Sequence, residues 1–375
     1  MSGITYQWHS KSTDITALKG ALIVAGKKRS KSLLILACSD NNITTAEYEQ
    51  LLSSITLPLF GGTFPKLIFN KKVIDTGFII IGFSDTLDVY NFHNISDRIE
   101  NHELSENEIE QHIKSKAQAY FLFHDAFSPN SEDFIEALYY CLGNVKIIGG
   151  GAGSLDFIQR PCIFSNEGVL QDATQLVAIK SPLSLGVSHG WQILNGPYLV
   201  TESYKHKVNS LNYEPAFSTY KNSIERLTDF RFTDDNFFDV AKNFPLGIQG
   251  ANNDEILVRD PIQNEHDSLE CVGNVPANSM IYILQGNTEN LIRSVEVASL
   301  MTSTNQPTPT ENLFVIDCIG RYLFLGAKFK LELAAMVNKY QPPKVMFGVL
   351  SLGEITNSHS GAIKLLNKST VLGAF

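Results

Sequence analysis

Apolar runs alternate with polar breaks along the chain and predict strand–helix–strand units. In the first unit, an apolar run at 33–38 leads into Asp40, a helical stripe covers 47–55, and a second run at 57–60 ends in Gly61-Gly62. Short apolar runs bounded by turn residues are typical of buried strands, and apolar spacing of three to four is typical of a helix.

A second unit repeats this plan. Its first apolar run, at 120–123, leads into Asp125, its helical stripe covers 134–142, and its second run ends in Gly149-Gly150. Strands joined in this way pair in parallel, and ligands collect at the carboxyl ends of such strands.

The strand ends therefore supply the first candidate ligand residues, which are Asp40, Asp125, Gly149 and Gly150. Since the two units share one plan, we expect them to pack in one sheet, with Asp40 and Asp125 near the same edge. The alternative is that the aspartates cap helices and the glycines make tight turns.

From Cys162 to Leu211 the pattern changes to alternating β-type segments, and a helix begins near Pro215. The second half then returns to strands and helices. We predict a mixed α/β, or α+β, fold in which helices cover mixed sheets. Two domains are expected, at 1–212 and 213–375.

Composition narrows the function. Hydrophobic residues make up 43% of the chain and charged residues 18%, which predicts a folded protein. The net charge of −9 argues against nucleic-acid binding, which depends on clustered Lys and Arg. The five cysteines are scattered and contain no CxxC pair, so we expect reduced thiols, with Cys38 and Cys141 buried. No apolar run approaches the roughly 20 residues that span a bilayer, so we expect a cytoplasmic protein without membrane insertion.

Two common motifs of phosphate and metal sites are missing from the sequence. The glycines at 149–153 are not followed by the Lys-Ser or Lys-Thr of a phosphate loop, and no two histidines have HxH or HxxxH spacing. We therefore predict that the protein is not an enzyme.

Two further features mark candidate ligand residues. Glycines bracket His189 and Trp191 at a predicted strand end, where the backbone can approach a ligand; the alternative is a turn with a packed indole. Arg259, Arg321 and Glu354 each interrupt an apolar stretch. Such charges form internal Arg–Glu pairs or hold a ligand. We expect these three to converge on one polar cavity.

Taken in order, several strings resemble the FIST (F-box and intracellular signal transduction) sensory family. The first half contributes Gly149-Gly150-Gly151-Ala152 and Gly186-Val187-Ser188-His189-Gly190-Trp191. The second contributes, in order, Phe244-Pro245-Leu246-Gly247, Val258-Arg259-Asp260-Pro261, Cys318-Ile319-Gly320-Arg321, Gly353-Glu354-Ile355 and Asn367-Lys368-Ser369-Thr370. The resemblance implies a FIST N-terminal and a FIST C-terminal domain, and it adds Cys318 to the candidate ligand residues.

The resemblance also implies a function. A FIST protein is expected to bind a small ligand such as an amino acid and to regulate a histidine kinase or a cyclic-di-nucleotide enzyme. With no output domain in this chain, the partner would act in trans.

Two alternatives stay open. Some family members of similar length bind haem and sense nitric oxide; His189 would then be the iron ligand, with His124 as the second choice. A cysteine-dependent enzyme acting on a small acid would use Cys318 or Cys38 as its nucleophile.

Overall fold

A computed structural model describes residues 3–114, 116–250, 256–304, 312–337, 343–357 and 361–375. The strands are β1 (Ile4–Ser10), β2 (Ser32–Cys38), β3 (Leu59–Phe64), β4 (Lys66–Phe69), β5 (Lys72–Ile74), β6 (Phe78–Phe83), β7 (Val89–Phe92), β8 (Ala119–Asp125), β9 (Lys146–Ala152), β10 (Ile163–Ser165), β11 (Gly168–Leu170), β12 (Thr174–Ile179), β13 (Ser184–Ser188), β14 (Gln192–Tyr204), β15 (Lys207–Leu211), β16 (Glu214–Pro215), β17 (Leu246–Gln249), β18 (Ile256–Glu265), β19 (Ser268–Val272), β20 (Met280–Gln285), β21 (Asn312–Cys318), β22 (Val345–Ser351), β23 (Glu354–Asn357), β24 (Ile363–Leu366) and β25 (Thr370–Ala374).

The helices lie between these strands and cover the sheets. They are α1 (Ile15–Lys27), α2 (Thr45–Leu52), α3 (Ile95–Glu100), α4 (Glu106–His112), α5 (Ser131–Leu142), α6 (Ala216–Leu227), α7 (Phe237–Ala241), α8 (Thr288–Thr304), α9 (Ile319–Leu325) and α10 (Phe329–Ala335). Helix α2 starts with a capping box, in which Thr44 and Glu47 satisfy each other's backbone N–H groups.

Three mixed sheets are each built around one parallel strand pair. Sheet 1 has the order β1-β6-β2-β3-β10-β11, sheet 2 the order β24-β23-β9-β8-β12-β7, and sheet 3 the order β13-β25-β21-β22-β4-β5. The parallel pairs are β2/β3, β8/β9 and β21/β22. The two predicted strand–helix–strand units are thus present, and the second half of the chain contains a third.

The units do not share a sheet, so the expectation that Asp40 and Asp125 lie at one sheet edge is wrong. Strand β2 belongs to sheet 1 and β8 to sheet 2. The physical reason is that each pair is flanked by antiparallel strands of its own: β6 pairs with β2, and β12 pairs with β8.

Sheets 2 and 3 combine strands from both halves of the chain. The hairpin β4–β5 joins sheet 3 through β22, whereas the hairpin β23–β24 joins sheet 2 through β9. A fourth sheet has the order β14-β20-β17-β18-β19-β15-β16, and each pair of neighbouring strands in it is antiparallel. The mixed α/β class with helix-covered sheets is confirmed. The division into domains at 1–212 and 213–375 stays a prediction.

Phenylalanines fill the core where sheets 1, 2 and 3 meet. The ring of Phe121 lies 6.1 Å from that of Phe60 and 5.2 Å from that of Phe314, between centroids. At Gly150 the sheets approach so closely that a Cβ atom would stand 2.8 Å from Ile316 and 2.9 Å from Ser351. This packing holds the carboxyl ends of the parallel pairs of sheets 2 and 3 beside each other.

None of the helices among the described residues combines the length and the apolar character that crossing a bilayer requires.

Candidate functional site

The carboxyl ends of β8/β9 and of β21/β22 open onto one cavity of about 370 Å³. Its walls come from the loop and first α5 residues at 126–132, the end of β19 and the following loop at 271–274, the start of α9 at 318–320 and the turn at 352–353. We call this space the inter-segment cavity. Its position at strand ends is the one that the strand–helix–strand pattern predicts for a ligand.

Most of the cavity wall is apolar. Phe127, Phe157, Phe238, Leu323 and Leu352 are among its lining side chains. A volume in this range, with apolar walls and a few polar groups, is typical of small-molecule sites, which span roughly 300–1,000 Å³.

Three residues that line the cavity each carry a buried polar atom with no hydrogen-bond partner among the described residues: Ser128 Oγ, Asp260 Oδ1 and Asn367 Oδ1. Their residues are 5%, 6% and 2% exposed. Buried polar groups are almost always hydrogen-bonded in folded proteins. Three unpartnered atoms in one cavity therefore indicate a place where a ligand supplies the missing bonds.

The second oxygen of Asp260 belongs to a buried ion pair. Lys368 Nζ lies 2.9 Å from Asp260 Oδ2, donates to the backbone oxygen of Lys242 at 3.1 Å, and stands 5.5 Å from the centre of the Trp191 ring. Burial raises the pKa of Asp260, whereas the Lys368 ammonium opposes this shift. Lys368 thereby holds one oxygen of the Asp260 carboxylate, and the other, Oδ1, has no partner among the described residues.

A second ion pair closes another side of the cavity. Arg259 Nη2 donates to Glu132 Oε2 at 2.7 Å, and the other oxygen of Glu132 accepts from the backbone N–H of Asn274. Gly273 has a φ of +85°, and a Cβ atom there would lie 2.9 Å from both Arg259 Nε and Glu132 Oε1. The contact therefore needs glycine. It joins α5 to the β19 turn.

Arg259 is an internal residue, not a ligand-facing one. Its guanidinium also donates to the backbone oxygens of Asn274 at 2.9 Å and Leu365 at 3.1 Å, and the residue is 1% exposed.

Arg321 is likewise buried among its own partners. It donates to Glu332 Oε1 at 2.7 Å and to the backbone oxygens of His189 and Lys368, and it lies 3.5 Å from Asp317. The structure therefore shows the alternative of internal Arg–Glu pairs at both arginines, and neither lines the cavity.

Glu354 lies behind the cavity wall. It accepts from Ser351 Oγ at 2.9 Å and from the backbone N–H of Ser369 at 3.1 Å. Complete burial raises its pKa to about 8, so the carboxyl group is protonated at neutral pH. The expected convergence of Arg259, Arg321 and Glu354 on one polar cavity does not occur. Each arginine is paired with an internal glutamate, and the Glu354 carboxyl group is held by local hydrogen bonds.

Cys318 is the one residue of the ten predicted ligand residues that lines the inter-segment cavity. Burial and the neighbouring Glu354 raise the pKa of its thiol well above the ordinary value. Among the described residues all five cysteines are free; Cys38 is buried, and Cys141, expected to be buried, is partly exposed.

His189 and Trp191 lie outside the cavity wall. The His189 ring accepts from the backbone N–H of Trp191 through Nδ1 at 3.1 Å, and the indole N–H of Trp191 donates to the backbone oxygen of Lys368 at 3.1 Å. Trp191 therefore packs behind the Lys368–Asp260 pair and does not meet a ligand in this cavity.

Of the strand-end residues, Asp125 holds the adjoining loops, and the glycines allow close packing of strands and sheets. Asp125 accepts from the backbone N–H groups of Phe127 at 3.1 Å and Asp172 at 2.8 Å, while Asp40 is exposed. Gly149 and Gly150 let neighbouring strands and sheets approach; at Gly149 a Cβ atom would stand 2.0 Å from the Leu122 carbonyl oxygen. None of the four lines the inter-segment cavity.

The residues with unpartnered atoms were not among the predicted ligand residues. Asp260 and Asn367 stand inside two of the strings that carried the resemblance, at 258–261 and 367–370, and Ser128 precedes the proline before α5. A usable signal was the adjacency of Asp260 to Arg259, since neighbouring residues of a strand point to opposite faces.

Comparison with protein families gives two matches in succession. A FIST N domain matches residues 32–214, and a FIST C domain matches residues 216–357. The inter-segment cavity is lined from both matched segments, by 126–132 on one side and by 271–274, 318–320 and 352–353 on the other. No curated protein matches the chain.

Proposed function

The chain belongs to the FIST family, whose domains are sensory domains of signal transduction, and from that premise we propose that it binds a small ligand in the inter-segment cavity and regulates a signalling partner in trans. The observation that carries the proposal is the set of three unpartnered buried atoms in one apolar cavity.

Ligand binding there would act on both family segments at once. The lining side chains of Asn130 and Glu132 come from the FIST N segment, and those of Val272 and Asn274 come from the FIST C segment. A ligand that contacts both sides favours one relative arrangement of the walls. The Glu132–Arg259 contact is an ion pair across this boundary.

The partner proposed is a histidine kinase or a cyclic-di-nucleotide enzyme inside the cell. The protein itself would not be an enzyme. The proposed ligand is small and amino-acid-like, which suits both the cavity volume of about 370 Å³ and its mixture of apolar wall and isolated polar atoms.

The haem alternative, with nitric oxide as the signal, gains no support from His189, because this residue does not line the cavity. His124 does line it, but both ring nitrogens are hydrogen-bonded, to Thr174 Oγ1 and Ser131 Oγ, each at 2.6 Å. The two predicted iron ligands therefore do not fit haem in this cavity.

The cysteine-enzyme alternative is also less well supported. A nucleophilic cysteine needs a lowered pKa. Burial instead raises the pKa of Cys38 to about 12 and that of Cys318 well above its ordinary value.

A thermal-shift screen with amino acids, amines, nucleotides and haemin tests the proposal. A compound that stabilises the wild type should have no effect on Leu323→Trp or Ile262→Trp, which fill the cavity from two walls. Leu331→Trp is the matched control, since Leu331 is 47% exposed and does not line the cavity. Equal stabilisation of all four proteins would contradict the proposal.

The regulatory half of the proposal has its own readout. With a candidate histidine kinase, the stabilising compound should change the autophosphorylation rate in the presence of the wild type and leave it unchanged with Leu323→Trp. A kinase response that persists with the filled cavity would show that this site does not control the output.

A further inference from the structure

We infer that the inter-segment cavity takes a protonated primary amine on an apolar body, with the ammonium group held by Asp260, Asn367 and Ser128. This inference rests on the proposed function and names the ligand class of that site.

The three unpartnered atoms favour a donor. Asp260 Oδ1 and Asn367 Oδ1 can only accept hydrogen bonds, and the Ser128 hydroxyl can accept as well as donate. Leaving such buried acceptors without partners is costly. An ammonium group offers three N–H donors, one for each atom, from a single point.

The acidic residue of this trio is paired with a buried cation. Lys368 Nζ lies 2.9 Å from Asp260 Oδ2, and Lys368 is fully buried. The lysine contacts one oxygen, and the other has no partner among the described residues, in a residue that lines the cavity. A carboxylate placed at this end would meet two acceptor oxygens and be repelled.

The buried cations near the cavity are not available to hold a ligand carboxylate. Arg259 is paired with Glu132, and Lys368 is paired with Asp260. At the wall, Lys205 Nζ donates to Asn130 Oδ1. At the inner end of the cavity, formed by Asp260, Asn367 and Ser128, the groups left without partners can all accept a hydrogen bond, so this end favours an amine over an acid.

Exposed apolar side chains at the cavity provide a surface for the apolar body of the ligand. Leu155 and Phe157, in the loop between β9 and β10, both line the cavity and are 38% and 44% exposed. The Phe157 ring meets that of Phe127 edge-on, with 6.1 Å between centroids. An apolar ligand body would cover these side chains and gain their burial.

Two compounds of equal skeleton but opposite charge test the inference by isothermal titration calorimetry. 2-Phenylethylamine is expected to bind the full-length protein at least about tenfold more tightly than 3-phenylpropionate, a difference set by the acceptors at the inner end. Equal or tighter binding of the acid, or no binding of the amine, would overturn the inference.

Substitutions then assign the binding to the trio. Asn367→Leu keeps the branched shape of the side chain and removes the acceptor, and Ser128→Ala removes the hydroxyl; the two oxygens have no hydrogen-bond partner among the described residues, so folding should survive. Each is expected to weaken amine binding about tenfold. Asp260→Asn should weaken it further, although this change also deprives Lys368 of its partner. Asn222→Leu, at an exposed position of α6, is the matched control. Amine affinity unchanged in both Asn367→Leu and Ser128→Ala would reject the assignment.

An error in the ligand class and an error in the proposed function give different results. If another compound binds the wild type and is lost in Leu323→Trp while the amine does not bind, the ligand class is wrong and the proposed function stands. If no compound depends on the cavity, the proposed function fails as well.

Discussion

Glu132 Oε2 lies 2.7 Å from Arg259 Nη2, across the boundary between the FIST N and FIST C segments. Arg259 is 1% exposed, and the Glu132 side chain is 23% exposed. The pair is therefore partly shielded from water, and it stands beside a cavity that both segments line. Loss of this ion pair should therefore lower the free energy of unfolding.

Glu132→Gln should lower the free energy of unfolding by about 2 kcal/mol, because it leaves a buried guanidinium without a charged partner. Urea denaturation measures the change. Glu136→Gln, at an exposed position on the same helix, should leave stability within about 0.5 kcal/mol of the wild type. Equal effects of the two substitutions would mean that the contact contributes nothing.

Arg321→Ala should destabilise the fold more strongly, by about 3–5 kcal/mol, because it leaves the fully buried Glu332 without a cation. We therefore do not expect this variant to lose ligand binding while keeping a normal fold. Arg293→Ala, at an exposed position of α8, provides the control. A melting temperature for Arg321→Ala equal to that of the control would contradict the internal role assigned to Arg321.

The pH dependence of stability should include Glu354. Its pKa is raised from 4.5 to about 8, so the folded protein keeps a proton that the unfolded chain releases. Its contribution is therefore complete below pH 4.5 and is lost as the pH rises through about 8. Glu354→Gln mimics the protonated carboxyl group and should flatten the decline of stability over this window. Glu202→Gln, at an exposed position, should keep the wild-type slope.

Strand pairing between the two halves of the chain predicts that the isolated fragment 1–212 is not stable. Without the second half, β9 lacks β23 and β4 lacks β22, so strand edges and core phenylalanines become exposed. The isolated fragment should show no cooperative thermal transition by circular dichroism and should aggregate on size exclusion. Co-expression with 213–375 should restore a folded complex. A monomeric fragment with a sharp transition would show that the first half is autonomous.

Local patterns explain why part of this structure could be predicted. The parallel pairs β2/β3 and β8/β9 arise from apolar runs and a helix that lie next to each other in sequence. By contrast, the pairing of β23 with β9 joins residues about two hundred positions apart, and no local pattern specifies it.

The site was less predictable for the same reason. Arg259 was correctly singled out as a costly buried charge, but its partner, Glu132, comes from a distant helix and cannot be chosen from sequence alone. The orphaned oxygen of Asp260 became recognisable only once the position of Lys368 was known.

Hydrogen exchange of the full-length protein, with and without the compound that stabilises it most, tests the central claim most directly. The account predicts slower exchange in two separate stretches, 126–132 and 271–274, because both line the inter-segment cavity, and no such change in Leu323→Trp. Protection confined to the smaller cavity around Cys38 and Tyr48, or protection that persists in Leu323→Trp, would contradict it.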